Sequence, residues 1–270
     1  MAQKQWIGSK IIHKEVTDST NTDAARMSED LPHGAVITAD MQTAGKGRRG
    51  RLWISRAYEN LYFSLLLKPE FAPDKASMLT LVMALAAARG IELVYGDIQP
   101  GQVQIKWPND IVINGKKVCG ILTEMQVVAG RIKHVIIGVG VNVHQQDFSE
   151  DELVHASSLD LELSHIPWKS VKHPAEREIR MELMHAILAQ FEVYYGRFCV
   201  SENLKPLQEL YENRLVNLGR EVQVLDPGGS FTGVALGIDE QGQLVVQRTD
   251  GSRTKVYAGE VSVRGLYGYV

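Results

Sequence analysis

Val103-Gln104-Ile105-Lys106-Trp107-Pro108-Asn109-Asp110-Ile111-Val112-Ile113-Asn114-Gly115-Lys116-Lys117-Val118-Cys119-Gly120-Ile121-Leu122 is the stretch whose reading decides the fold. Two apolar, β-branched runs flank Asn114-Gly115, a dipeptide that readily takes the positive φ angles of a two-residue hairpin turn. The stretch therefore predicts a β-hairpin. Pro108 has no N–H to give to a ladder and interrupts the earlier run, which places Asn109 and Asp110 at a kink. Lys116 and Lys117 follow the turn. A lysine pair there is ordinarily a solvated tip, but Lys117 leads straight into a buried-type run with a small-residue step at Gly120. Its two readings, tip and strand mouth, both stand at this point.

Upstream lies Gln42-Thr43-Ala44-Gly45-Lys46-Gly47-Arg48-Arg49-Gly50-Arg51-Leu52-Trp53, with four cations, three glycines and no acid within residues 45–51. Close like charges repel, and glycines cost ordering entropy, so such a loop is a poor element for building a fold. It suits an anion that arrives and neutralises it, because glycine lets the backbone and its N–H groups approach closely. The competing reading is a solvated or nucleic-acid-binding basic loop. The Gly45, Gly47, Gly50 spacing also fits a dinucleotide fingerprint, but the expected acidic partner about twenty residues on is not evident. Trp53 either closes over what the loop covers or is a core tryptophan.

Further out, residues 11–16 read as a strand. Asp18-Ser19-Thr20-Asn21 then offers four capping residues before a helix closed by Pro32 and Gly34. One or two caps suffice, so the surplus hydroxyl and amide groups are candidates for a polar ligand head. Residues 35–42 and 60–67 read as strands, and Asp74 or Ser77 as the cap of a long helix through Gly90. Residues 131–143 read as a strand whose alternate glycines, Gly138 and Gly140, leave room for a ligand or another backbone. Residues 147–172 read as irregular surface. His144, His155, His165 and His173 lack metal-ligand spacing, and no metal is assigned to protein residues. Pro174 opens a long helix whose core stripe is Ile179, Leu183, Ile187, Phe191 and Tyr195, and a short helix follows over residues 204–211. Residues 221–225, 231–238, 243–247 and 253–257 are short strands of a small β-module, plausible as a barrel. The predicted division is residues 1–217 and 218–270.

The chain has 270 residues and a net charge of −3, so the loop's positive charge is local and the whole is not a nucleic-acid binder by charge. Two cysteines, Cys119 and Cys199, point to a reducing compartment, and we expect a cytoplasmic protein. No signal peptide is evident, and no apolar run reads as a membrane span.

Taken in order, Asp18-Ser-Thr-Asn21, Gln42-x-Ala-Gly-Lys-Gly-Arg-Arg-Gly-Arg-x-Trp53, Lys106-Trp-Pro-Asn-Asp110, Lys117-x-x-Gly-Ile-Leu122 and Gly138-x-Gly-x-Asn142 resemble the motifs of the bacterial biotin–protein ligases, across essentially the whole chain. The resemblance implies an α+β fold with a mixed β-sheet flanked by helices, as in class II aminoacyl-tRNA synthetases and biotin ligase catalytic domains. It adds a small C-terminal barrel of the Src-homology-3 type ending near residues 259–264. It implies that biotin and MgATP give biotinyl-5′-AMP and pyrophosphate, and that a lysine of a biotin carboxyl carrier protein then takes the biotinyl group and releases AMP. By resemblance, Ser19, Thr20, Asn21, Gln42, Lys46, Gly47, Arg48, Lys117 and Gly120 bind biotin, and Arg48, Arg51, Trp53, Lys106, Asn109 and Asn142 bind the nucleotide. Arg48, Lys117 and Asp110 are the catalytic candidates. Lys46 departs from the family, where many members have arginine with its two-pronged contact. The chain begins a few residues before its first strand, so the DNA-binding domain of some relatives, and with it a repressor role, is not expected. A homodimer is open.

The residues suit that chemistry. Adenylation joins two anions, so Arg48, Arg51, Lys106, Lys117 and Mg²⁺ are fitting partners. Neutral Ser19, Thr20 and Gln42 suit a ureido ring, and apolar strands near Gly120 and Gly138 suit its tail. The acceptor lysine, with an ordinary pKa of about 10.4, must lose a proton before it attacks. Asp110 is open as the group that deprotonates or orients it and as a Mg²⁺ or backbone-positioning residue. A lipoate- or octanoate-transferring enzyme and a nucleic-acid-binding module are the rival readings. The arginine loop and the Lys-Trp-Pro-Asn-Asp run argue against the first, and net charge against the second.

Overall fold

In the computed structural model, Asn114 (φ 51) and Gly115 (φ 76) form the hairpin turn that their sequence favours. The structure describes residues 6–96, 98–99, 101–149, 155–164, 176–225, 229–258, 262–265 and 269. Strands β1 (Ile11–Thr17), β2 (Val36–Gln42), β3 (Leu61–Leu67), β4 (Val103–Lys106), β5 (Asp110–Ile113), β6 (Lys116–Val128) and β7 (Arg131–Val141) build one sheet in the order β1-β2-β3-β7-β6-β5-β4. β1 and β2 pair in parallel and the remaining neighbours antiparallel, which makes the sheet mixed.

The expected kink at Pro108 is a full reversal. β4 and β5 pair antiparallel, with Lys106 opposite Asp110. The ladder ends where Pro108 has no N–H to donate, and the three-residue turn brings Asp110 back beside Lys106. Trp107 is buried there. Its backbone N–H donates to Asn217 Oδ1 (2.9 Å), and its indole N–H donates to the carbonyl of Gly242 (3.0 Å).

β3 is buried along its whole length, because helices cover both faces of the sheet. Phe63, Leu65 and Leu67 face the large core made with α2 (Leu79–Tyr95) and α4 (Glu176–Ser201). Leu66 packs on the other side with Ala24 of α1 (Thr20–Arg26), Ile37 and Ile136. The period of two therefore puts Ser64, like Leu66, on the α1 face. α1 ends at Arg26, earlier than Pro32 and Gly34 suggest. α2 is entered through a 3₁₀ turn, Pro73–Met78, and no side chain caps it, so neither Asp74 nor Ser77 does so. The segment Pro73–Tyr95 is long and apolar enough to cross a membrane, contrary to the sequence reading, but 78% of its most apolar window is buried here as a core helix.

Gly90 lies where α2 meets α4. A Cβ there would stand 2.6 Å from Ile187 Cγ1 and 2.9 Å from the Ile187 backbone nitrogen. Gly90→Val should therefore destabilise the fold by about 1–3 kcal/mol through overpacking against backbone. Urea unfolding measures this, and an unchanged midpoint would show that the helices separate freely.

The region read as irregular contains a short helix, α3 (Leu159–Leu163), capped by Ser158. Pro174, His165 and His173 lie outside the described residues, and the long helix is described from Glu176. The sequence's short helix over 204–211 is a 3₁₀ turn, Lys205–Leu207, running into α5 (Gln208–Glu212). β8 (Glu221–Leu225), β9 (Phe231–Ile238), β10 (Leu244–Gln247), β11 (Arg253–Val256) and β12 (Ser262–Gly265) form a second, antiparallel sheet in the order β11-β10-β9-β8-β12. This small C-terminal sheet matches the Src-homology-3-like expectation and adds β12 to the four strands read from the sequence.

Candidate active site

The site lies on the α1 face of the large sheet, over its central strands. Ser64 is the one serine in the apolar run of β3, and it meets the N-terminus of α1. Its Oγ lies 2.7 Å from Thr20 Oγ1 and 2.6 Å from Asn21 Oδ1. Thr20 donates both its backbone N–H (2.9 Å) and its hydroxyl (3.2 Å) to Gln42 Oε1. Asn21 donates through Nδ2 to Glu124 Oε2 (2.6 Å). Ser19 is the N-cap by position, yet its side chain makes no capping bond. Of the four capping-type residues, Thr20 and Asn21 are thus spent on a buried polar network across α1, β2, β3 and β6, while Asp18 bonds locally to the Ser19 N–H and Arg26. Ser19, Thr20 and Asn21 are each less than 5% exposed, so the network is held in place rather than solvated.

Gly120 on β6 and Gly140 on β7 are directly paired. Trp53 lies on them. A Cβ at Gly120 would come within 2.7 Å of the indole, and one at Gly140 within 2.8 Å. Gly138 is occupied in the same way by Asn21. The room left by these glycines is therefore filled by protein side chains, where the sequence suggested a ligand or backbone. Trp53 is half-buried over this glycine floor and is not a core residue. Its indole N–H is buried without a hydrogen-bond partner among the described residues, a donor aimed at no acceptor.

The basic loop closes on itself. Gly47 N–H donates to the Arg51 carbonyl (2.7 Å) and Trp53 N–H to the Gly45 carbonyl (2.9 Å), and Lys46 and Leu52 form an isolated bridge. Arg49 (φ 60) and Gly50 (φ 74) turn the chain in the left-handed region. Arg48 reaches out of the loop to Asn109 Oδ1 (2.8 Å) and to the carbonyl of Ala258 in the C-terminal unit. Burial is the main cause pulling the Arg48 pKa down, and Asp110 opposes it.

Lys116 is the solvated lysine of the pair, bound to Glu162 Oε1 (2.9 Å). Lys117 turns inward, 12% exposed, and its Nζ lies 2.7 Å from Asp110 Oδ1. Burial raises the Asp110 pKa, but the attraction and hydrogen bond of Lys117, with Tyr269 and Lys106 behind them, carry it below the ordinary carboxylate value. Tyr269 donates its hydroxyl to Asp110 Oδ2 (2.5 Å), and Lys106 Nζ stands 3.2 Å from the Tyr269 ring centroid.

A cleft of about 470 Å³, open on one side, gathers most of the sequence's candidates: Ser19, Thr20, Asn21, Gln42, Lys46, Gly47, Arg48, Trp53, Asn109, Lys117 and Gly120 line it. Ile121, Leu122, Gly138, Val139 and Gly140 complete its wall. Lys106 and Asp110 stand behind it, joined through Lys117 and Tyr269. Arg51 is exposed on the loop, and Asn142 is buried beside the cleft, giving its Nδ2 hydrogen to the Ser157 carbonyl (3.0 Å). Ser64, Glu124 and Tyr269 were not among the candidates. A lone serine in an apolar strand was the available signal for Ser64, whereas Glu124 and Tyr269 are placed by tertiary contacts that no local pattern announces.

The cleft divides into a buried neutral polar end, an aromatic and glycine floor, and a cationic end. Comparison with known proteins identifies the family. Residues 14–142 match the Biotin/lipoate A/B protein ligase family, and residues 218–264 match the Biotin protein ligase C terminal domain. The bifunctional ligase/repressor BirA of Bacillus spizizenii is 36% identical over 95% of this chain and 75% of its own. The biotin–[acetyl-CoA-carboxylase] ligase of Paracoccus denitrificans is 30% identical over 92% of this chain and 98% of its own. The biotin protein ligase of Aquifex aeolicus, solved with biotin and ATP, superposes with a TM-score of 0.76 at 30% identity, covering 95% of this chain and 99% of that one. With motifs and fold in agreement from the first strand of the large sheet to the last of the small one, this chain belongs to the biotin protein ligases and is a ligase of that family.

Proposed function

We propose that the cleft joins biotin and ATP as biotinyl-5′-AMP, releasing pyrophosphate, and then passes the biotinyl group to a lysine of a biotin carboxyl carrier protein, releasing AMP. The observation that carries this reading is the division of one cleft into a buried neutral polar end and a cationic end. Ser19, Thr20, Asn21 and Gln42 supply uncharged donors and acceptors for a ureido ring. The apolar wall of Ile121, Leu122 and Val139 beside Trp53 suits an apolar tail. Lys117, Arg48 and the exposed Lys46 then meet the carboxylate and the α-phosphate, whose mutual repulsion opposes the reaction. Arg51, Lys106, Asn109 and Asn142 are proposed nucleotide partners on the same side, and Trp53 brings an aromatic face and its unpartnered N–H to the boundary between the two substrates.

Asp110 is better suited to orienting Lys117 than to acting as a base. A carboxylate held below its ordinary pKa and paired with a lysine accepts a proton poorly. Its two oxygens are engaged by Lys117 and Tyr269, and no group of three or more His, Cys, Asp or Glu converges among the described residues. In this proposal the Mg²⁺ ion arrives on the phosphates of MgATP.

Several subsidiary proposals follow from the same reading. The functional division falls at residues 217 and 218, a placement supported by the C-terminal family match beginning at 218. The chain does not repress transcription, in keeping with its net charge of −3. The free thiols Cys119 and Cys199 support a cytoplasmic setting. β1 forms an open edge of the large sheet, where a second copy could pair.

Intact-mass analysis of a carrier domain incubated with the chain, biotin and MgATP tests the function. The expected result is one biotinyl group on one lysine, dependent on both small molecules. Carrier left unmodified, or modified by lipoate and not by biotin, would overturn it.

A further inference from the structure

Tyr269 is a group in the catalytic region to which the proposed reaction gives no step. It is separated from Asp110 by 159 positions in sequence yet makes one of the shortest side-chain contacts of the site. We propose that Tyr269 is a positioning residue for the two active-site lysines, delivered from the C-terminal unit, its hydroxyl fixing Lys117 through Asp110 and its ring fixing Lys106. The inference rests on the ligase reading above.

The two halves of the side chain do separate things. A carboxylate held by one partner alone is free to turn about its last torsion and carry that partner with it. Asp110 is held by both oxygens: Oδ1 lies 2.7 Å from Lys117 Nζ, and Oδ2 accepts from the Tyr269 hydroxyl at 2.5 Å. The Lys117 ammonium is therefore tethered to a carboxylate that does not rotate. Burial and the neighbouring Asp110 charge raise the phenol's pKa well above its ordinary value, so the hydroxyl remains a donor. The ring works on the other cation. Lys106 is 5% exposed, and an ammonium so poorly hydrated needs compensating contacts. The negative face of the Tyr269 ring, 3.2 Å away at its centroid, supplies one and sets where the charge stands.

The geometry also gives the C-terminal unit a specific part in the chemistry. Arg48 bonds the Ala258 carbonyl, Trp107 bonds the Gly242 carbonyl, and Tyr269 bonds Asp110, so two motifs of the large domain, the basic loop and the run over residues 106–110, are held at three points from the same unit.

The test is steady-state biotin-dependent ATP–pyrophosphate exchange by the full chain and by Tyr269→Phe and Tyr269→Leu, with melting temperatures measured alongside. Tyr269→Phe keeps the ring and loses the hydroxyl. We expect kcat to fall about tenfold, the loss of one hydrogen bond to a charged group, with KM for ATP unchanged and the melting temperature kept. Tyr269→Leu loses the ring as well, and KM for ATP should rise in addition. A Phe variant with wild-type kcat would overturn the assignment. So would a lower KM for ATP in either variant, the mark of an obstructing tyrosine, or losses that simply follow the melting temperature, the mark of a structural one. Silence of the wild-type chain would instead fail the ligase reading itself, so the two failures are told apart.

Discussion

Lys117→Met should lower biotin-dependent ATP–pyrophosphate exchange by about 10²- to 10³-fold, the usual consequence of removing one preorganised donor from developing charge. Lys117 is the best-placed cation in the site. It lines the cleft, is 12% exposed, and is aimed by a carboxylate that is itself held from both sides. Methionine keeps the length and apolar stem of the side chain and removes only the charge. The same substitution strands Asp110 as a buried, unpaired carboxylate, and breaking a buried pair from one side costs about 3–5 kcal/mol. Loss of activity alone would therefore be ambiguous between catalysis and unfolding. The double variant Lys117→Met with Asp110→Asn resolves this, because the amide carries no charge to strand. We expect the double variant to recover most of the melting temperature and none of the exchange. Recovery of both, measured in the same preparation, would show that Lys117 serves the fold and not the reaction.

Arg48→Gly should leave the first half-reaction running and release its product. In the structure Arg48 ties the basic loop to Asn109 and to the Ala258 carbonyl, and those bonds hold the loop over the cleft. The loop's remaining cations and glycines give it no stability of its own. Losing the charge-assisted contacts, each worth roughly 1.5–3 kcal/mol, should speed escape of the adenylate about 10- to 100-fold. A free mixed anhydride acylates exposed lysines without discrimination. The expected readout is ATP- and biotin-dependent labelling of an unrelated protein such as serum albumin, absent with the wild-type chain. A variant that still labels only a carrier domain would show that loop closure does not depend on Arg48.

What could be read from the chain was what is local. Asn114-Gly115 announces its turn because the φ values it needs are intrinsic to those residues. The basic loop was legible as an anion clamp or as a solvated or nucleic-acid-binding loop, a choice its own charges do not make. The four strands read in the C-terminal unit follow from alternation and Gly-containing turns, whereas β12 is fixed by its pairing with the distant β8. Pro108 was legible as an interruption but not as a reversal, since the direction of the chain after it is set by pairing between Lys106 and Asp110. The surplus polar groups at Asp18 to Asn21 were recognised as more than caps, yet their internal partners Ser64 and Glu124 were not, because those come from β3 and β6. Gly138 and Gly140 were read as room for a ligand or another backbone, and Gly120 as a small-residue step. The structure fills that space with Trp53 and Asn21, and only the packed sheet could say so. Tyr269 is the extreme case: nothing near it in sequence links it to Asp110.

The most direct test of the central claim is isotope exchange between pyrophosphate and ATP by the purified chain, with biotin, lipoate or octanoate as the acid. Exchange with biotin, and none with the other two acids, is the result this account predicts, since the proposal assigns a ureido ring to the neutral polar end of the cleft. Exchange driven by lipoate or octanoate in place of biotin, or by no acid at all, would contradict it.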